Sequence, residues 1–88
     1  MILTPEYLLS NNFIEADVLV ITGDDCRAFV KVLPFEGSIT VYIRSKVIKG
    51  IGSGIRYMTD QGTIYLIQSI DTNDINKELS DIGVKFRF

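Results

Sequence analysis

Polar and apolar residues change period several times along the chain, and each change predicts an element. Thr4-Pro5-Glu6 reads as a helix start, with Thr4 as N-cap, Pro5 at the first helical position and Glu6 in the first turn. Tyr7, Leu8 and Leu9 supply its apolar side, and Asn11-Asn12 ends it early. From Phe13 the period becomes two. Ala16, Val18 and Val20 share one face and Glu15 and Asp17 the other, until Leu19 and Ile21 break the polar face. Gly23-Asp24-Asp25 then turns the chain.

A second strand follows in RAFVKVLPF, with Ala28, Val30 and Val32 on one face and Arg27, Phe29, Lys31 and Leu33 on the other. Pro34 ends the strand, since it has no N–H for a ladder, and Glu36-Gly37 makes the next turn. The longest strand candidate is SITVYIRSKVIK. Ile39, Val41, Ile43 and Val47 form its apolar face, opposite Thr40, Tyr42, Arg44 and Lys46.

After a glycine-rich segment, IRYMT and TIYLIQSI flank Asp60-Gln61-Gly62, which predicts a tight hairpin with Gly62 at positive φ. DTNDINKELSDIG carries a helical period in Ile75, Leu79 and Ile82, with caps at residues 71–73 and a stop at Gly83. VKFRF reads as a closing strand, with Val84, Phe86 and Phe88 on one face. The expected fold is α+β: a small, strongly bent or barrel-like sheet of about five or six mostly antiparallel strands. A short N-terminal helix and one helix near the C-terminus complete a single domain over residues 1–88.

Composition narrows the class. An apolar share of 47% with 23% charged residues argues against disorder. A chain of 88 residues buries roughly 60–65% of its extended surface, so oligomerisation would add useful stability. No apolar run approaches the roughly 18–20 residues of a membrane span. The N-terminus lacks the basic region of a signal peptide. The single cysteine, Cys26, allows no internal disulfide and fits a cytoplasmic setting.

Charge is segregated. Residues 1–26 hold Glu6, Glu15, Asp17, Asp24 and Asp25 and no Lys or Arg. Residues 27–59 hold Arg27, Lys31, Arg44, Lys46, Lys49 and Arg56 against Glu36 alone. The acidic first third and the basic middle could pair, within the fold or between copies, or could simply keep the surface solvated.

Candidate catalysis is thin. The chain has no histidine, which removes the commonest general base and every Ser-His or Cys-His nucleophile. Asp24-Asp25-Cys26 lacks the alternating oxygen ligands and closing Glu of a hard-cation loop, so no metal is expected. Glu15 and Asp17 would project from one strand face about 6.5–7 Å apart, a spacing that any strand with alternating acids produces. A non-enzymatic protein without cofactor is the expectation.

The most site-like stretch is Lys49-Gly50-Ile51-Gly52-Ser53-Gly54-Ile55-Arg56. A dinucleotide loop needs a third glycine where Ile55 stands and a helix directly after it, and a Walker loop needs Gly-Lys-Ser/Thr. Neither condition is met. The glycines are expected to let the chain bend between two strands, with Ile51 and Ile55 exposed at a contact tip. Residues 37–59 carry no acid, so Tyr42, Arg44, Lys46, Lys49, Ile51, Ile55 and Arg56 form the candidate contact surface. A protein partner or a second copy of the chain is the leading expectation. Cations interleaved with Tyr42 and Tyr57 also suit single-stranded nucleic acid, although the footprint is small and the chain as a whole is acidic. Small size, no catalytic set and many Ile residues match the accessory proteins of phages and mobile elements in composition alone.

Overall fold

The computed structural model describes residues 1–16, 26–45, 50 and 52–88. Five strands form one antiparallel sheet in the order of the chain: β1 Ile14–Ala16, β2 Cys26–Leu33, β3 Gly37–Arg44, β4 Gly54–Met58 and β5 Ile64–Ile67. The sheet is an open meander, not a barrel, because β1 and β5 lie at opposite edges. The expected first-strand residues beyond Ala16, and Val47 of the third strand, lie outside the described residues.

Helix α1, Pro5–Ser10, begins as its sequence dictates: the Thr4 hydroxyl accepts from the Tyr7 N–H, and Pro5 sits in the first turn. Helix α2, Thr72–Asp81, is capped by the Asp71 carboxylate, which accepts from the Asn73 N–H at 2.9 Å. Its C-terminus closes with both bonds of a Schellman motif. Gly83 N–H donates to the Ser80 carbonyl and Val84 N–H to that of Leu79, with Gly83 at φ +83°. Gly62 has φ +91°, as the hairpin requires.

Cross-strand pairing decides which residues share a face. The row Phe29, Val41, Ile55 and Ile67 and the row Ile39 and Tyr57 all point to one side. Leu3, Leu8, Phe13, Ile75, Leu79 and Val84 cover that side, giving one buried cluster. The choice between the two faces of β2 falls to Phe29 and Leu33, which outweigh the smaller Ala28, Val30 and Val32. Burying Phe and Leu removes more apolar area from water, at about 25 cal/mol per Å2. Arg27 and Lys31 lie on the same inward face but at its margin. Arg27 pairs with Glu15, and the Lys31 ammonium donates to the Asn11 carbonyl at 3.1 Å over the Phe13 and Phe86 rings. The acidic first third does therefore meet the basic middle, in the two-pronged Glu15–Arg27 bond.

The closing residues are not a strand. Their N–H groups bond to side chains instead of a ladder: Lys85 N–H donates to a Glu36 carboxylate oxygen at 2.8 Å and Phe88 N–H to Asn76 Oδ1 at 2.9 Å. Val84 is buried, and the Phe88 ring stacks 5.8 Å from that of Phe13. The alternation of Val84, Phe86 and Phe88 thus serves an extended segment laid against the core, with no neighbouring strand.

Candidate functional site

The other face of the sheet has no covering layer among the described residues. Its rows run Ile14, Val30, Thr40, Arg56, Leu66, then Ala28, Tyr42, Gly54, then Val32, Ser38, Met58, Ile64. Ile14, Val32 and Leu66 are each more than 70% exposed. Arg44, beside Tyr42, and Arg56 are the only charged residues on this face among those described, and no described acid forms an ion pair with either. Among the described residues this face therefore carries two arginines and no carboxylate, with Ile14, Val32 and Leu66 exposed and Ala28 buried.

Four of the expected contact residues border one groove here, although Ile55 is buried and only the other three present accessible side chains. Tyr42, Arg44 and Arg56 line a groove of about 490 Å3, together with Gly54, Leu66 and Gln68. Gly54 stands directly across from Tyr42 and presents no side chain, which leaves the groove open. A Cβ at Gly54 would lie 2.7 Å from the Ile67 carbonyl oxygen, so the close approach of β5 requires glycine there. Gly50 has φ +78° with open space around it. Part of the glycine run therefore acts through backbone geometry, as its sequence suggests. Lys46, Lys49 and Ile51 lie outside the described residues.

The groove wall is fixed by a hydroxyl. Ser53 Oγ accepts from the Arg44 N–H at 2.8 Å and donates to the Arg44 carbonyl at 3.3 Å, extending the β3–β4 ladder by one side-chain rung. The Arg44 guanidinium lies 5.6 Å from the Tyr42 ring centroid and reaches Cys26 Sγ at 3.3 Å. Ring and sulfur hold the cation over the sheet.

Two expectations need correction. Ile55 is not an exposed contact: it is 2% exposed, in the central inward row between Val41 and Ile67. Strand β4 already begins at Gly54, so Ile55 takes its face from the sheet and not from a loop. Tyr57 likewise points inward. Its hydroxyl donates to the Glu36 carbonyl and its ring stacks on Tyr65, so it offers no face to a nucleic-acid base. Burial, followed by the Glu36 and Asp60 charges, holds the Tyr57 phenol above its ordinary pKa.

Sequence patterning also misses Ile14, Val32, Met58 and Leu66, because an outward apolar residue in a strand with two apolar faces carries no local mark. Of the acidic pair weighed for catalysis, Glu15 is bound to Arg27, which holds its carboxyl below the usual range, and Asp17 lies outside the described residues. Asp24 and Asp25 also lie outside them. No group of three or more Cys, Asp or Glu is placed to hold a metal among the described residues. No described helix is long and apolar enough to cross a membrane.

Neither a protein-family model, nor a curated protein, nor a solved structure matches the chain.

Proposed function

We propose that the protein is a non-enzymatic binding module whose outer sheet face takes an acidic protein partner. The observation that carries this reading is the pairing of Arg44 and Arg56 with exposed Ile14, Val32 and Leu66 on one face that bears no described carboxylate. Arginine and apolar side chains around a desolvated centre are the usual composition of a protein contact, and charge complementarity selects the partner. The absence of histidine from the chain favours binding over acid–base chemistry.

The test compares affinity capture by the wild type and by Arg44→Glu/Arg56→Glu, followed by titration of the purified captured protein. The reading expects an acidic protein whose affinity falls steeply in the double variant while the thermal transition is unchanged. Equal capture by both sets the face aside.

The Arg44–Tyr42 stack favours a second reading, single-stranded nucleic acid held by cations and one ring. It predicts affinity for an oligothymidylate that falls with salt. The inward turn of Tyr57 leaves only one of the two expected rings available, which is why this reading comes second.

A further inference from the structure

Strand β5 forms one edge of the sheet, and no described strand pairs beyond it. The Thr59 N–H donates to the Thr63 carbonyl at 2.8 Å, which makes these two a hydrogen-bonded pair at the mouth of the β4–β5 hairpin. Bonded and non-bonded pairs alternate along an antiparallel ladder. Tyr65 and Ile67 therefore bond to β4, and the N–H and C=O of Ile64 and Leu66 point to the open edge. Helix α2 does not fill the space beside them: a groove of about 320 Å3 lies there, lined by Leu66, Ile67, Gln68, Asp74, Lys77 and Glu78.

Sheets that stay single guard such edges with charge, proline or a bulge. Strand β1 carries Glu15, tied to Arg27. Residues 63–70, TIYLIQSI, hold no charge and no proline. At Ile64 and Leu66 the edge offers unpaired backbone, short of Ile70, whose carbonyl takes the Leu3 N–H, and its complement is another extended strand.

We propose that β5 pairs with β5 of a second copy, antiparallel about a two-fold axis at Tyr65. The two outward-bonding residues are spaced two apart, so this register brings Ile64 opposite Leu66 of the second copy, and Leu66 opposite its Ile64, at the same time. Each pair exchanges both backbone hydrogen bonds. On the outer face an isoleucine then covers a leucine, and no like charges meet. Leu66 is 72% and Ile64 46% exposed in the single chain. The pairing removes the facing flanks of these side chains from water, and the match of Ile64 to Leu66 in both directions is the reason a second copy fits.

The axis stands perpendicular to the sheet, so both outer faces lie on the same side. Arg56, across from Leu66 on β4, then flanks the seam in each copy, and the binding face becomes double. The doubling rests on the function proposed above. The pairing does not.

Light scattering across a concentration series tests it with the intact chain. The wild type should approach twice its 9.9 kDa mass. Leu66→Lys alters a side chain exposed in the monomer, so the thermal transition should stay in place while the dimer weakens by roughly tenfold or more, from setting an ammonium against isoleucine. In a Cys26→Ser background, Tyr65→Cys should cross-link to itself on oxidation. Non-bonded antiparallel pairs place Cα atoms about 4.5 Å apart, within disulfide reach. Leu66→Cys, which faces Ile64, should not cross-link. A monomer at every concentration, or a dimer indifferent to Leu66→Lys, overturns the proposal. A dimer that Tyr65→Cys does not cross-link overturns the register. Arg44→Glu/Arg56→Glu should leave the mass unchanged, so failure of the partner reading and failure of the pairing are read separately.

Discussion

The Arg44 guanidinium stands 5.6 Å from the centre of the Tyr42 ring, on the open face of the sheet. The ring orders a cation that would otherwise be free to swing, so less side-chain entropy is lost when a carboxylate arrives. Tyr42→Ala should weaken partner binding about tenfold, near the lower limit for a contact that matters. Tyr42→Phe keeps the ring and should bind as the wild type does. Equal losses in both variants, measured by calorimetric titration, would assign the effect to the hydroxyl instead.

Tyr57 gives the fold an alkaline limit. Its phenol is held above the ordinary value of 10.0, first by burial and then by the nearby Glu36 and Asp60 charges. A raised folded-state pKa means that the folded chain binds the proton more tightly than the unfolded one. The associated stability is complete below pH 10 and is lost as pH rises through the folded value. Tyr57→Phe should cost about 1 kcal/mol near neutrality, from the lost bond to the Glu36 carbonyl. It should also flatten the alkaline fall. Urea titrations at neutral and alkaline pH check both.

Two glycines of the same run should respond differently to alanine. At Gly54 a methyl group would press on the Ile67 backbone oxygen at 2.7 Å, so Gly54→Ala should cost about 1–3 kcal/mol as β4 and β5 move apart. Gly50→Ala meets no neighbour and suffers only its positive φ, a cost of about 1 kcal/mol. Chemical denaturation ranks the pair. Equal costs would mean that the strand approach at Gly54 is not tight.

Phe35 is 96% exposed and holds φ +65° in the turn between β2 and β3. A phenylalanine gains nothing from that backbone, whereas asparagine adopts it readily. Phe35→Asn should raise stability by about 1 kcal/mol, visible as a higher melting temperature. A drop would show that the ring packs on something in solution.

Much of the fold was legible because local chemistry decided it. Thr4-Pro5, Asp71 and Gly83 mark their helix ends through hydrogen bonds within a few residues, and Gly62 marks its hairpin in the same way. Tertiary competition decided the rest. Nothing near Val84 announces that Glu36 and Asn76 will take the N–H groups of the closing residues and deny them a strand. The candidate site was half legible. Tyr42, Arg44 and Arg56 alternate onto the open face as their spacing implies, while Ile55 and Tyr57 turn inward because β4 starts earlier than a loop reading allows. The outward Ile14, Val32 and Leu66 emerge only once the register of all five strands is known.

The meander also has a history in time. Each strand bonds to the strand before it, so the sheet can zip together from neighbour to neighbour through short closures, the fast kind. Its cover cannot. Leu3 and Leu8 come from one end of the chain and Ile75, Leu79 and Val84 from the other. The two ends meet where the Leu3 N–H bonds to the Ile70 carbonyl and the Thr72 N–H to that of Met1. The inward face therefore has its full cover only when segments from both ends of the sequence lie on it together, and a change that loosens either end uncovers the same core.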